Sequence, residues 1–299
     1  MKILYKDILK LLNKKPSIDD LSNKLFQLGH EHEIKDNILD MEFTPNRGDC
    51  LSLVGLARDL NIFYEFNNSL DLYEEEINDL KLDFINKSES DCPSISFLKI
   101  EIEGPISQYK DYLSSYFSNL KIKKNNFFTD ISNYVSYELG QPTHCFDHDK
   151  LNGQIVFNNK NLNETFTTLL DSKIELEGEN CVFISNDEVI SLAGIMGGKS
   201  TACSDSTKTV LIECAYFKPE SIIGKSVKYN LQSDAAHKFE RGVDPCCHEN
   251  VLRRFIKIVQ DHVEIKNLGL VKFENTKFQS KETEIDLKKI NSILGTSIS

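Results

Sequence analysis

The chain has 299 residues, 46 acidic and 35 basic side chains and a formal net charge of −11. That length suits two domains, and 40% apolar content is enough for a real core and too much for a disordered chain. The acidic balance argues against polyanion binding by bulk charge, which needs clustered Lys and Arg, and leaves a local nucleic-acid contact open.

No apolar run approaches the roughly 20 residues that cross a bilayer, so no membrane partner is expected. The N-terminus, broken by Lys6, Asp7 and Lys10, is a poor signal peptide. Cys50, Cys92, Cys145, Cys181, Cys203, Cys214, Cys246 and Cys247 form no CxxC and no zinc-like spacing, which points to a reduced, cytosolic compartment and no metal.

In chain order, SIDDLSNKLFQLG reads as a helix capped by Ser17 and stopped by Gly29. A second helix is expected over 50–65, from Leu53, Leu56, Ala57, Leu60 and Phe63 at helical spacing. Residues 66–93 are polar and acidic and read as a surface connection with a short strand at LKLDFI. SFLKIEIEG alternates like a strand, and ISQYKDYLSSYFSNL sets Tyr109, Tyr112, Leu113 and Tyr116 on one helical face. Six strand signals follow 150: GQIVFN, ETFTTLL, SKIELEG, NCVFIS, EVISLAG and TVLIECAYF. A helix capped by Asp244, with Pro245 at its first position, comes next. EIDLKKINSILGTSIS reads as a strand–helix unit opening a further, truncated domain. Helices and strands mix without βαβ alternation, so the fold class is α+β. The domains are drawn at 1–68, a connection at 69–94, 95–278 and the start of another at 279–299.

Four segments could carry chemistry. In SNYVSYELGQPTHCFDHDKL, Gly140 and Pro142 break a helix and leave His144 in a turn, able to polarise a water or orient an ester, or merely to bond its own turn. His144 and His148 lack a third ligand at metal spacing. SLAGIMGGKS has glycines that let backbone N–H groups converge on a ligand; it is neither a Walker loop nor GxGxxG, and a plain tight turn fits equally. Glu213 interrupts TVLIECAYF on the same face as Leu211 and Ala215, as a pocket wall or a surface residue. SDAAHKFERGVDP offers small Ala235 and Ala236, making room for a ligand or simply a helical turn. Lys121, Lys123 and Lys124 form the best basic patch.

Taken together, TPNRGDCLSLVGLARDL (44–60), DISNYVSYELGQPTHCFDHDKL (130–151), SLAGIMGG (191–198), TVLIECAYFKPESI (209–222) and SDAAHKFERGVDP (233–245) are collinear with, and resemble, the N-terminal half of the bacterial-type phenylalanine–tRNA ligase beta subunit. The resemblance implies an editing module that hydrolyses tyrosine wrongly attached to phenylalanine tRNA. It assigns the pocket to Ser132, Asn133, His144, Ala193, Gly194, Gly197, Glu213 and Ala235, with His144, Asn133 and Ser132 holding the ester and its water and Glu213 with Gly197 reading the phenol. A hydrophobic pocket cannot strongly reject an isostere that adds one hydroxyl, which is why such a second site is useful.

The resemblance further implies phenylalanine tRNA and the ligase alpha subunit as partners and a cytoplasmic location. ATP and Mg2+ are expected only for the complete ligase. Relative to the family pattern, Ser132 stands for threonine, Lys238 for an arginine that could bond bidentately, and Gly48 for a proline, which should alter only loop stiffness. The oligonucleotide-binding barrel usual before TPNR and the C-terminal domains are missing. A non-catalytic structural module of the ligase and a free-standing deacylase are the alternatives.

Overall fold

In the computed structural model, residues 1–67, 70–279 and 282–298 are described. The N-terminal part runs β1 (Lys2–Leu4), α1 (Tyr5–Lys10), α2 (Ile18–Gln27), β2 (Glu31–Lys35), β3 (Ile38–Glu42), α3 (Leu53–Asp59) and α4 (Asn61–Tyr64). Its antiparallel sheet has the order β1-β3-β2. Helix α2 starts where expected: the Ser17 side chain accepts from the Asp20 N–H, and Leu21 and Leu25 are buried.

The second expected helix is broken into a 3-10 turn at Gly48–Cys50, then α3, then α4. Ser52 adopts an extended backbone and its hydroxyl accepts from Gly55 N–H at 2.9 Å, so a fresh helix nucleates there although the apolar periodicity runs through. Gly48 also does more than soften a loop. A Cβ there would meet the backbone oxygens of Arg241 and Gly242 at 2.8 Å, so the first sequence block is pressed against the last.

Next come β4 (Asn78–Asp79), β5 (Phe84–Asn86), β6 (Ser94–Glu103), α5 (Asp111–Leu120), α6 (Phe127–Leu139), β7 (His144–Asp147), β8 (Ile155–Thr167), β9 (Lys173–Ser185), β10 (Glu188–Leu192) and β11 (Met196–Gly197). They are followed by β12 (Thr209–Tyr216), α7 (Pro219–Ile222), α8 (Lys225–Lys228), α9 (Asp234–Arg241), α10 (His248–Gln260), β13 (Glu264–Glu274) and α11 (Leu287–Leu294). Two five-stranded sheets result, β4-β13-β6-β12-β7 and β11-β10-β9-β8-β5, so the α+β class holds.

The central strands are buried on both faces. On β12, Val210, Ile212 and Cys214 join a core made with α5, α6, α10 and the N-terminal part. Leu211 and Ala215, pointing the other way, join a second core with Phe157, Val182 and Phe183 of the second sheet. Helices, sheet and sheet therefore form three layers around two cores.

Several expectations change. Four of the six strand signals merge: GQIVFN with the start of ETFTTLL, and SKIELEG with NCVFIS, become two 13-residue strands paired from Ile155↔Ser185 to Thr167↔Lys173. The ladder is carried by backbone, so the polar NNKNLN stretch does not interrupt it. The connection is not all surface: β4 and β5 add edge strands by parallel pairing, and Tyr73, Phe84 and Cys92 are buried. Within LKLDFI only the end of the run is strand, beginning at Phe84. The boundary drawn at 68/69 falls on residues outside those described.

Helix α10 starts at His248, not beside Asp244. Asp244 instead accepts from Cys246 N–H at 2.8 Å in a turn that carries Pro245 at its second position. Near the C-terminus the expected strand is absent over 282–286, and α11 is capped by Asp286 and buries no residue. The final residue, Ser299, lies outside the described residues.

Candidate functional site

His144 does not lie in a turn. Gly140 ends α6 in the left-handed region (φ 83°), and the chain then enters β7 with His144 as its first residue. Gln141 fixes the entry: its Nε2 donates to Pro142 O and Ala215 O, both at 2.9 Å. The β7–β12 register places His144 directly opposite Glu213, so residues distant in sequence share one face of the sheet.

Glu213 is 4% exposed, and among the described residues no hydrogen-bond partner faces its carboxyl group. Burial pushes its pKa up from the usual 4.5 to about 8, so it is a neutral acid at pH 7. His144 Nε2 is shut off from solvent without a partner, and burial pushes the imidazole pKa down to about 4, so this group is neutral too. The imidazole rests edge-on against Phe146, with centroids 4.4 Å apart.

The glycine segment supplies the facing wall. Strands β10 and β11 form a hairpin pairing Ser191 with Gly197 and Leu192 with Met196, and Gly194 (φ 69°) makes the turn possible. Gly197 lies so close to His144 that a Cβ would stand 2.2 Å from Cε1 and 2.8 Å from Nε2. Thus the tight turn and this wall of the cavity are the same structure.

Helix α9 closes a third side. Ser233 accepts from Ala236 N–H at 3.0 Å and donates to Ile195 O at 2.9 Å, tying the helix start to the glycine turn. Buried Lys238 donates to Ser136 O (2.7 Å) and Ser136 Oγ (2.8 Å) and pairs with Asp234 (2.9 Å). Lys238 therefore ties α9 to α6 through two hydrogen bonds, while its pair with Asp234 stays within α9.

His144, Gly194, Gly197, Glu213 and Ala235 line one cavity of about 60 Å³. Ser132 stands behind that wall, its hydroxyl donating to Thr143 O at 2.6 Å and paired with Thr143 Oγ1 at 2.8 Å. Asn133 and Ala193 lie outside the lining; Asn133 O accepts from Tyr116 and Ala193 N–H donates to Cys181 O. The sequence reading missed Thr143, Ile195, Met196 and Phe239 as lining residues. Phe239 was findable, because it follows Ala235 by one helical turn.

With both ionisable groups neutral, the cavity offers hydrogen bonds and no charge. A protonated carboxyl can donate to and accept from a hydroxyl, and a neutral imidazole can do the same through its two nitrogens.

A different cluster could suggest a metal. His30, Cys50 and Asp59 bring ligand atoms within 4.8 Å of one another. The Arg47 guanidinium fills the cation position, 2.7 Å from Cys50 Sγ and 3.0 Å from Asp59, while burial pushes the thiol up to about 12. These residues do not fit a metal ion.

A buried acid and an imidazole facing a glycine hairpin on a two-sheet α+β scaffold define a domain built around a small polar pocket. Residues 94–264 match the B3/4 domain family, and the chain belongs to that family. It is similar over 88% of its length to the phenylalanine–tRNA ligase beta subunit of Francisella tularensis subsp. tularensis, at 32% identity and covering 34% of that protein. The beta subunit of Acinetobacter baylyi matches 89% of the chain at 30% identity, again over 34% of its own length. The chain thus spans about a third of the length of these curated relatives. A crystal structure of an N-terminal fragment of the phenylalanyl-tRNA synthetase beta subunit from Pyrococcus horikoshii covers 100% of this chain and 85% of the fragment at 14% identity, with a TM-score of 0.46. Among the described residues no helix is long and apolar enough to cross a membrane.

Proposed function

We propose that the chain is the editing portion of a phenylalanine–tRNA ligase beta subunit, hydrolysing the ester of tyrosine misattached to phenylalanine tRNA. The observation that carries this reading is Glu213, a buried neutral acid with no side-chain hydrogen bond among the described residues, set directly across from His144 on the wall of one small cavity. Such a group pairs with a phenol, and leaving it unpaired when phenylalanine is bound penalises the correct amino acid. The neutral imidazole of His144 then holds the ester carbonyl or the attacking water, while the missing side chain at Gly197 leaves the space that the His144 ring occupies.

Outside the lining, Ser132 acts on this reading by positioning Thr143, and Asn133 by accepting from Tyr116 of α5 through its backbone oxygen. The cavity holds about two waters' share of liquid volume at roughly 30 Å³ each, so an aromatic ring enters by displacing flexible neighbours such as Met196. Water for the hydrolysis comes from solvent: the acyl C–O bond breaks, the acid takes the hydroxyl and the tRNA ribose oxygen takes the proton.

The alpha subunit and the rest of a beta chain would supply amino-acid activation in the cytoplasm. ATP and Mg2+ belong there on this reading, since the His30–Cys50–Asp59 group is already filled by Arg47. The test is release of tyrosine from preformed tyrosyl-tRNA specific for phenylalanine, with phenylalanyl-tRNA as control. Tyrosine-selective release that falls at least tenfold in His144→Ala and loses its selectivity in Glu213→Ala supports the assignment. Unchanged selectivity in Glu213→Ala removes Glu213 as the phenol reader.

A further inference from the structure

Lys2 and Lys35 stand on the three-stranded sheet, Lys6 on α1, and Lys121 just past α5 in a left-handed conformation (φ 56°). All four are exposed and line one groove of about 700 Å³, which shares no lining residue with the cavity holding Glu213. The fold gathers them. Pairing of Lys2 with Asp40 and Lys35 with Ile38 sets both lysines on the outward sheet face, opposite the face that buries Ile3, Leu39 and Met41.

Glu33, Asp36 and Asp40 line the same groove, yet among the described residues none of the four lysines has a carboxylate within ion-pair distance. Asp40 is drawn instead to the N-terminal ammonium at 3.8 Å. Lys10 and Lys14, nearby in sequence, are by contrast paired with Asp7 and Glu65 at 2.8 and 2.9 Å. Lys123 and Lys124 continue the basic strip past Lys121, with Lys124 over the Tyr109 ring at 4.4 Å. The side chains of Asn37, Ser118 and Asn119 add neutral hydrogen-bonding groups.

A chain of net charge −11 repels a polyanion over most of its surface, so contact must use a local excess of unpaired cations. A concave site with lysines held off carboxylates and with amide and hydroxyl groups between them suits phosphates and ribose hydroxyls better than a flat lipid surface. The geometry points to this groove as a contact for the sugar–phosphate backbone of an RNA, with Lys2, Lys6, Lys35 and Lys121 meeting its phosphates. This rests on the tRNA reading above and adds a contact for the RNA body away from its aminoacyl end.

The test measures binding of uncharged phenylalanine tRNA by fluorescence anisotropy across a salt titration. It compares the chain with the quadruple variant Lys2→Gln/Lys6→Gln/Lys35→Gln/Lys121→Gln and with a charge-matched control, Lys81→Gln/Lys87→Gln/Lys173→Gln/Lys277→Gln. The groove variant is expected to bind about tenfold or more weakly at 0.15 M salt, with the slope of log K against log salt shallower by about 3, and the control to stay within about threefold. The double variant Lys6→Gln/Lys121→Gln, with minimal change to the sheet, should show about half the slope change.

Equal losses in groove and control variants would reduce the effect to bulk charge and overturn the assignment. No loss in either, no binding by the unaltered chain, or lysine-dependent binding to anionic phospholipid vesicles in place of tRNA would overturn it as well. Tyrosine release is scored separately on aminoacylated tRNA, so failure of hydrolysis with groove-dependent binding intact would count against the editing reading alone.

Discussion

Glu213 and His144 are stabilised as neutral groups by burial, and this sets opposite pH dependences. Between pH 4.5 and about 8 the unfolded chain releases the Glu213 proton while the folded chain keeps it, so this residue costs stability as pH rises through that window. Glu213→Gln is therefore expected to gain stability over the unaltered chain by a few kcal/mol at pH 8, a gap that shrinks towards pH 5, read by urea denaturation at both values. His144 acts the other way: below pH 6.5 the unfolded chain takes up a proton that the folded chain refuses until about pH 4, so stability falls on acidification through this range. At the neighbouring glycines the expected outcomes differ in kind. Gly197→Ala drives a methyl into the His144 ring and should cut tyrosine release at least tenfold with the fold retained. Gly198→Ala drives it to 2.6 Å from Ile190 O, which is backbone, and should instead lower the melting temperature by several degrees.

At the scale of elements, α9 is the piece whose placement decides whether Ala235 and Phe239 reach the cavity. Ser233 caps it and binds Ile195 O, so Ser233→Ala removes two hydrogen bonds and should cost about 1–2 kcal/mol in urea denaturation. Lys238→Met should cost more, about 3 kcal/mol, because Ser136 and Asp234 lose a buried cation, and it should weaken tyrosine release by loosening α9 from α6. α10 is fixed to α6 in a similar way, by Arg254 donating to Glu138 at 2.6 and 3.0 Å.

Over the whole molecule, the N-terminal part and the B3/4 region share one hydrophobic core. Leu21, Leu53 and Leu56 from the first pack in the same cluster as Ile131, Val135 and Phe255 from the second. Gly48 against Arg241 and Gly242 is the polar counterpart of that packing. Gly48→Ala should cost about 1–3 kcal/mol and leave one cooperative unfolding transition, measured by circular dichroism and fluorescence together. Two separated transitions would show that the core does not couple the parts.

Local signals settled much of this. Ser17, Gly29 and Gly140 act through the nearest few residues, so the ends of α2 and α6 were legible from sequence. The alternation in TVLIECAYF gave the facing of Glu213, since strand side chains alternate whatever the partner strand. Five collinear blocks gave the resemblance to the ligase beta subunit, which the similarity to curated beta subunits over 88% of the chain bears out, and four of the five lie inside the B3/4 match at 94–264. Other features depend on partners distant in the chain. Ser52 starts a new helix inside an unbroken apolar pattern, and β8 and β9 run through polar stretches because each completes the other's ladder. Gly48 looked like a flexible turn residue until Arg241 was seen against it. Which of the pocket residues touch the cavity, and which, like Ser132, brace it from behind, is fixed by the register of β7 on β12 and by α9 docking on α6. Composition and periodicity report each residue's own preference, whereas the burial that keeps Glu213 and His144 neutral arises only when the layers close around them.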